Sequence, residues 1–404
     1  MSRRSRISAL AVPCTLVLAS AAAAGPVGLV FSSIPGHPSS LVPGAAGMTF
    51  RHGAPSQFER PAASPSGRWW AVRAGVSDET ATPGQAILVG DAAGEAVLVA
   101  RTGQGAPAAH GLFTAFDPDV QIDDAGVFTF SATTLAEGVP TTRVYRGRIG
   151  AGGMPLLAPV QSAADTLASV AAEIPELDAP AEDAVAFSLA ALAITPAGDW
   201  MARGTDAQGN EWVFRNGEPV ALAGTPVTLR PDEPEHFAPA GSSPAFFSMH
   251  ANSAGDIAIG GLTDAGEHAM AAAVVLNSQR VILRTGDAVD LDGNGLADDD
   301  AFIDAFSTDG AFLTDGGAYY FSADLRTAAG RVIGRALLRT DICKPDWDAS
   351  GSPGSADLSV FLTEWLASVS EGTALADYDR DGLPTSADIG AFLSEWLGAM
   401  TGGC

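Results

Sequence analysis

The chain has 404 residues, of which 47 are acidic and 22 basic, giving a formal net charge of −25 at neutral pH. Lys344 is its single lysine. This balance excludes nucleic acid and anionic lipid as partners, because either needs clustered cations to displace its counterions. After the N-terminal segment, no stretch is apolar for long enough to span a bilayer.

Residues 1–24 place Arg3, Arg4 and Arg6 before an apolar run through Leu18 and a small-residue site at Ala22, Ala23 and Ala24. That layout predicts a secretory signal peptide. Pro13 occupies the position where a lipoprotein signal wants a small residue, so Cys14 is expected to leave with the leader. The mature chain would then be secreted, extracellular or held at a cell surface, with two cysteines, Cys343 and Cys404.

Residues 25–340 are rich in Ala, Gly, Val and Thr, in short alternating runs broken by Gly, Pro and Asp. The pattern predicts many short strands and little helix. Five turns recur: SPSG from Ser64, DDAG from Asp123, TPAG from Thr195, NSAG from Asn252 and TDGG from Thr314. Each ends in a glycine (Gly67, Gly126, Gly198, Gly255, Gly317) and leads into a strand. A phenylalanine lies upstream of each: Phe58, Phe116, Phe187, Phe246 and Phe306. A unit of this length holds about four strands, the size of one propeller blade. The expectation is a five- or six-bladed β-propeller, with Gly28 to Phe50 supplying the sixth unit if there is one. A β-sandwich or solenoid of the same strands is the alternative.

Within this region, Asp290, Asp292, Asn294 and Asp298 take positions 1, 3, 5 and 9 of a calcium loop, with Gly295 at 6. Position 12 is Ala301, which offers no carboxylate. A third calcium site is one reading, and a solvated turn is the other.

The last sixty residues contain one segment twice. DWDASGSPGSADLSVFLTEWL begins at Asp346 and DYDRDGLPTSADIGAFLSEWL at Asp377, in a constant offset of thirty-one positions. Calcium loops of the EF-hand type take oxygen ligands from positions 1, 3, 5, 7, 9 and 12 and turn at a glycine in position 6. The second copy offers Asp377, Asp379, Asp381, the Leu383 carbonyl and Asp388, with Gly382 at the turn. The first offers Asp346, Asp348, Ser350, the Ser352 carbonyl and Asp357, with Gly351 at the turn. With three carboxylates against four, the first loop is expected to bind calcium more weakly. Each loop runs into a helical stripe: Leu358, Phe361, Leu362, Trp365 and Leu366, then Ile389, Phe392, Leu393, Trp396 and Leu397. No comparable stripe precedes either loop, so each unit reads as a loop followed by one helix.

This repeated loop-and-helix arrangement, framed by Cys343 and Gly-Gly-Cys404, resembles the dockerin module of secreted planctomycete proteins. The five upstream units resemble the N-x-x-G-x-x-A-F tandem repeats that accompany such modules. The resemblance covers residues 343–404. It implies calcium-dependent folding, docking to a cohesin-like or cell-surface protein, and a recognition pair in each copy, at Ser355 with Ala356 and at Ser386 with Ala387. In an oxidising compartment Cys343 and Cys404 would pair, which the resemblance also implies; two free thiols are the alternative.

No catalytic signature stands out. The six histidines (His37, His52, His110, His236, His250, His268) form no metal-binding pair, and there is no nucleophile elbow or phosphate loop. Glu211 and Asp199 are the kind of carboxylates that glycoside hydrolysis uses, but sequence cannot give their separation. The sequence therefore reads as a secreted, non-catalytic β-repeat binding or display protein, with polysaccharide a candidate ligand, docked through a calcium-loaded C-terminal module. A dockerin-bearing polysaccharide hydrolase is the alternative.

Overall fold

A computed structural model describes residues 27–52, 58–78, 82–92, 95–149, 155–159, 188–194, 200–206, 208–227, 235–239, 245–264, 271–278, 280–348, 352–373, 375–379 and 383–402. The expected signal peptide lies outside them, as do Phe187, Gly198, Asp199, His268, Ser350, Gly351, Asp381, Gly382 and Cys404. The chain is mainly β, with two α-helices at its C-terminal end. Among the described residues no helix is long and apolar enough to cross a membrane.

The described strands form five sheets. β1 (Val27–Ser32) leads, and the first sheet holds β2 (Thr49–Phe50), β3 (Phe58–Ala63), β4 (Trp69–Ser77), β5 (Pro83–Asp91) and β6 (Ala96–Arg101). The second is the meander β7 (Leu112–Ile122), β8 (Val127–Ala136), β9 (Val139–Ile149) and β10 (Pro155–Pro159). The third comprises β11 (Ser188–Ile194), β12 (Trp200–Thr205), β13 (Glu211–Arg215) and β14 (Glu218–Leu222). The fourth comprises β15 (Phe246–Ala251), β16 (Ile257–Thr263), β17 (Ala271–Leu276) and β18 (Arg280–Arg284). After the short β19 (Val289–Asp290), the fifth is built from β20 (Phe302–Leu313), β21 (Ala318–Arg326) and β22 (Val332–Asp341).

The fifth sheet is completed by the first strand of the chain. β1 pairs antiparallel with β22, with Phe31 opposite Leu337 and Ser32 opposite Ala336. The segment from Gly28 to Phe50 is therefore not a sixth unit: β1 joins sheet five and β2 edges sheet one against β4. The pairing with β22 buries Phe31 among Phe50, Phe58 and Trp70, which neither end of the chain could do alone. Leading strands of successive sheets adjoin one another: β7 against β3, β3 against β20, β20 against β15 and β15 against β11. Apolar layers fill the spaces between them, with Trp70, Phe58 and Tyr320 between sheets five and one and Phe116, Phe128 and Tyr145 between one and two.

The repeated sequence features serve this arrangement. In four described turns the glycine N–H donates to the carbonyl three residues back, as from Gly67 to Ser64 at 2.8 Å and Gly126 to Asp123 at 2.9 Å. Gly67, Gly126, Gly255 and Gly317 all have φ between 71° and 86°, where a side chain is strained. The turns also join neighbouring sheets. Asp124 accepts from Ser66 N–H at 2.9 Å, Asp315 from Ser253 N–H at 2.7 Å, and Asp315 N–H donates to the Pro65 carbonyl at 3.1 Å.

The phenylalanines mark a second set of links. Arg73 of β4 donates to the Phe116 carbonyl at 2.6 Å, Arg203 of β12 to the Phe246 carbonyl, and Ser322 of β21 to the Phe58 carbonyl at 3.0 Å. In each case a strand of one sheet satisfies a backbone acceptor on the leading strand of another. The Ser322 bond crosses from the fifth sheet to the first.

His250, on β15, packs its ring 6.2 Å from that of Tyr319. Burial, with the Arg203 guanidinium adding to it, lowers its pKa to about 4. The folded protein thus favours the neutral imidazole. This contribution is complete above the ordinary value of 6.5 and is lost as pH falls towards 4, on the order of 3 kcal/mol at full extent. Urea midpoints of the native chain and of His250→Gln should therefore converge as pH falls from 6.5 to 4, and parallel curves would refute the assignment.

Candidate metal centres

The C-terminal helices are α1 (Ser355–Glu371) and α2 (Ser386–Gly402). Their apolar stripes meet on a local twofold. Phe361 stacks on Phe392 with centroids 4.1 Å apart and planes 4° from parallel, and Trp347 and Tyr378 close the cluster edge-on. Every principal contact occurs twice. Trp365 Nε1 donates to the Thr385 carbonyl at 2.7 Å, and Trp396 Nε1 to the Gly354 carbonyl at 2.8 Å. Trp347 Nε1 reaches Glu364 at 2.6 Å, and the Tyr378 hydroxyl reaches Glu395 at 2.8 Å. Each tryptophan thus bonds the loop of the other copy, so the two units share one core.

The helix starts place the carboxylates. Asp357, in the first turn of α1, accepts the Asp348 N–H at 2.8 Å and the Gly354 N–H at 2.6 Å. Asp388, in the first turn of α2, accepts the Tyr378 N–H at 2.6 Å, the Asp379 N–H at 3.0 Å and the Thr385 N–H at 2.6 Å. A carboxylate at this position offsets the unpaired donors of a helix N-terminus and folds the loop back on itself.

As a result Asp346, Asp348 and Asp357 bring ligand oxygens within 4.8 Å of one another, and Asp377, Asp379 and Asp388 do the same. Oxygens each 2.3–2.6 Å from one calcium ion stand at most about 5 Å apart, so the spacing fits. Asp346, Asp357 and Asp388 are fully buried and Asp377 nearly so. Burial pushes the Asp357 carboxyl above its usual range, against the pull of its two N–H donors, and the Asp348 carboxylate adds to the rise. Three carboxylates in such a space repel one another unless a cation or protons intervene. Ser352 and Leu383 have exposed side chains, so only their carbonyls suit the role expected of them. Ser355, Ala356, Ser386 and Ala387 are the exposed first residues of the two helices.

The third acidic loop is assembled differently from the expectation. Parallel pairing of β19 with β1 sets Asp290 opposite Gly28 and buries it. Asp290 and Asp292 converge with Asp299, whereas the exposed Asp298 approaches Asn294 at 3.4 Å. Asp299 accepts the Leu291 N–H at 2.7 Å, and Asp290 accepts those of Gly293 and Gly295 at 2.8 Å each. The run Asp298, Asp299, Asp300 left the choice of inward residue open, because it turns on the path of the loop.

Elsewhere, predicted residues have structural duties. Glu211 accepts the N–H groups of Ala245 and Phe246 at 2.9 and 3.4 Å and so ties sheet three to sheet four. His37 caps a short 3-10 turn at Pro38–Ser40, and His236 faces Asp264 at 3.4 Å. Cys343 is buried and disulfide-bonded.

No family model matches the chain, and no curated protein matches it. Among solved structures, a protein of unknown function from Dyadobacter fermentans is 10% identical, with TM-score 0.27, covering 74% of this chain and all of that one. A mannose phosphorylase from Leishmania mexicana is 10% identical with TM-score 0.26, over 79% of this chain and 88% of that one. An α-L-arabinofuranosidase from Podospora anserina is 7% identical with TM-score 0.29, over 79% and 98%. Likenesses this distant carry no argument about the present chain.

Proposed function

We propose that this is a secreted, non-catalytic binding or display protein whose five sheets close as a five-bladed β-propeller and whose C-terminal module is of the dockerin type. The module folds around two calcium ions and docks the chain to a cohesin-like or cell-surface partner, with Ser355, Ala356, Ser386 and Ala387 at the contact. The observation that carries this reading is the pair of carboxylate clusters, Asp346 with Asp348 and Asp357 and Asp377 with Asp379 and Asp388, repeated in one twofold body. Carboxylates at that spacing, four of the six buried, suit a hard divalent cation. Asp381 and Ser350 are the further expected ligands, and a bond between Cys343 and Cys404 would tie the ends of the module together. Of the two loops, the second is expected to bind more tightly.

The propeller reading is supported by five sheets built mainly of antiparallel strands and by the N-terminal strand that joins the last of them. Calorimetric titration of chelator-treated protein with calcium should give two sites of unequal affinity, and an absence of heat would overturn the metal assignment. Incubation with a panel of polysaccharides separates the ring's roles. Retention on a polymer without new reducing ends supports a binding domain, whereas release of reducing ends would overturn the non-catalytic reading.

A further inference from the structure

The C-terminal module is not tethered to the ring by a loose linker. Arg280, the buried first residue of β18, donates from Nη1 to the Cys343 carbonyl at 2.9 Å and to the Asp346 carbonyl. Asp346 is the first carboxylate of the first acidic loop, so its backbone is held by the fourth sheet while its side chain faces the cluster. Lys344, the chain's one lysine, lies between those two carbonyls in sequence and pairs with Asp256 at 2.8 Å. The Asp256 side chain is 1% exposed and also accepts from Asn252 at 3.0 Å and Asn277 at 3.1 Å. Asn252 in turn donates to the Thr314 carbonyl at 3.0 Å, in the repeated turn of the fifth sheet. Arg280 and Lys344 thus tie the segment from Cys343 to Asp346 to sheet four, and Asn252 ties sheet four to sheet five.

We propose that the first acidic loop is the joint between module and ring, so that cation capture by Asp346, Asp348 and Asp357 tightens the fourth sheet and its turn as well as the two helices. The proposal rests on the calcium reading of that loop given above. The physical ground is that the cation must fix the Asp346 backbone to gather its ligands, and the same backbone carbonyl is what Arg280 grips. Cation and sheet thus favour one loop geometry, and coupling between two events that share a conformation is reciprocal.

Hydrogen exchange on the full-length chain, with calcium and with chelator, tests this directly. Calcium should slow exchange in α1 and α2 and also in β18 and the Asn252–Asp256 turn, the latter by a factor within about 5–150, the usual span of coupling between sites. In Arg280→Met the helices should still respond while β18 and the turn should not. Lys344→Met, on the module's side of the joint, carries the same expectation should the first variant fail to fold. Protection of the helices alone in the unaltered chain would overturn the coupling and leave the calcium reading intact, as would an undiminished response of β18 in both variants. No protection anywhere would overturn both together.

Discussion

Asp388→Ala is expected to unfold the C-terminal module and to abolish its response to calcium. The side chain is fully buried and accepts three backbone N–H groups, from Tyr378, Asp379 and Thr385. Stranding a buried donor costs about 1–3 kcal/mol each. The cation's own contribution, about 2.7 kcal/mol when calcium stands at 100 times its dissociation constant, would be lost in addition. The sum exceeds what two helices around one stacked phenylalanine pair can spare. Asp379→Ala separates the two effects, because on the calcium reading Asp379 is a ligand, and its side chain is solvent-exposed where that of Asp388 is buried. Its metal-free melting should stay near that of the native chain while the calcium-dependent rise shrinks. Thermal melts with and without chelator measure both, and an undiminished calcium shift in Asp388→Ala would sink the assignment of the second loop.

Trp70→Ala should cost the β region about 3–5 kcal/mol, a large share of the roughly 5–15 kcal/mol that stabilises a typical domain. Trp70 is 1% exposed, donates from Nε1 to the Asp91 carbonyl at 3.0 Å, and meets Phe31 edge-on at 5.7 Å. It therefore joins the first sheet to the strand that closes the last. Its indole lies on Gly90 so closely that a Cβ there would sit 2.0 Å from the ring. Gly90→Ala must then displace the indole, and its cost should approach that of losing it. Denaturant titrations should show both variants with lowered midpoints and an unchanged slope; a loss below about 1 kcal/mol for Trp70→Ala would show that the cavity collapses.

The local vocabulary of the fold was legible in the sequence wherever the cause is local. Turn glycines announce themselves because a positive φ is free of strain only for glycine, as at Gly67 and Gly126. Both helix stripes and the carboxylates at 346, 348 and 357 and at 377, 379 and 388 follow from spacing alone, since a helix start fixes where the last ligand points. What escaped was long-range. Nothing in the alternation of β1 says that its mate is β22, so its residues read equally well as part of an extra unit. The choice of Asp299 over Asp298 depends on β19 lying beside β1. Likewise the tasks of Arg280 and Lys344 depend on which sheet the module rests against, although a lone lysine in so acidic a chain was itself a signal.

Completion of sheet five by β1 sets an order on assembly. Ser33 and Arg335, which bond each other at the close of that sheet, stand 302 positions apart. A polypeptide emerging N-terminus first must keep Val27–Ser32 waiting until nearly all the other strands have been made. Contacts that distant in sequence slow folding, so completion of sheet five belongs to the finished chain, and a nascent chain shortened before Val332 would leave an open edge inviting strands from its neighbours.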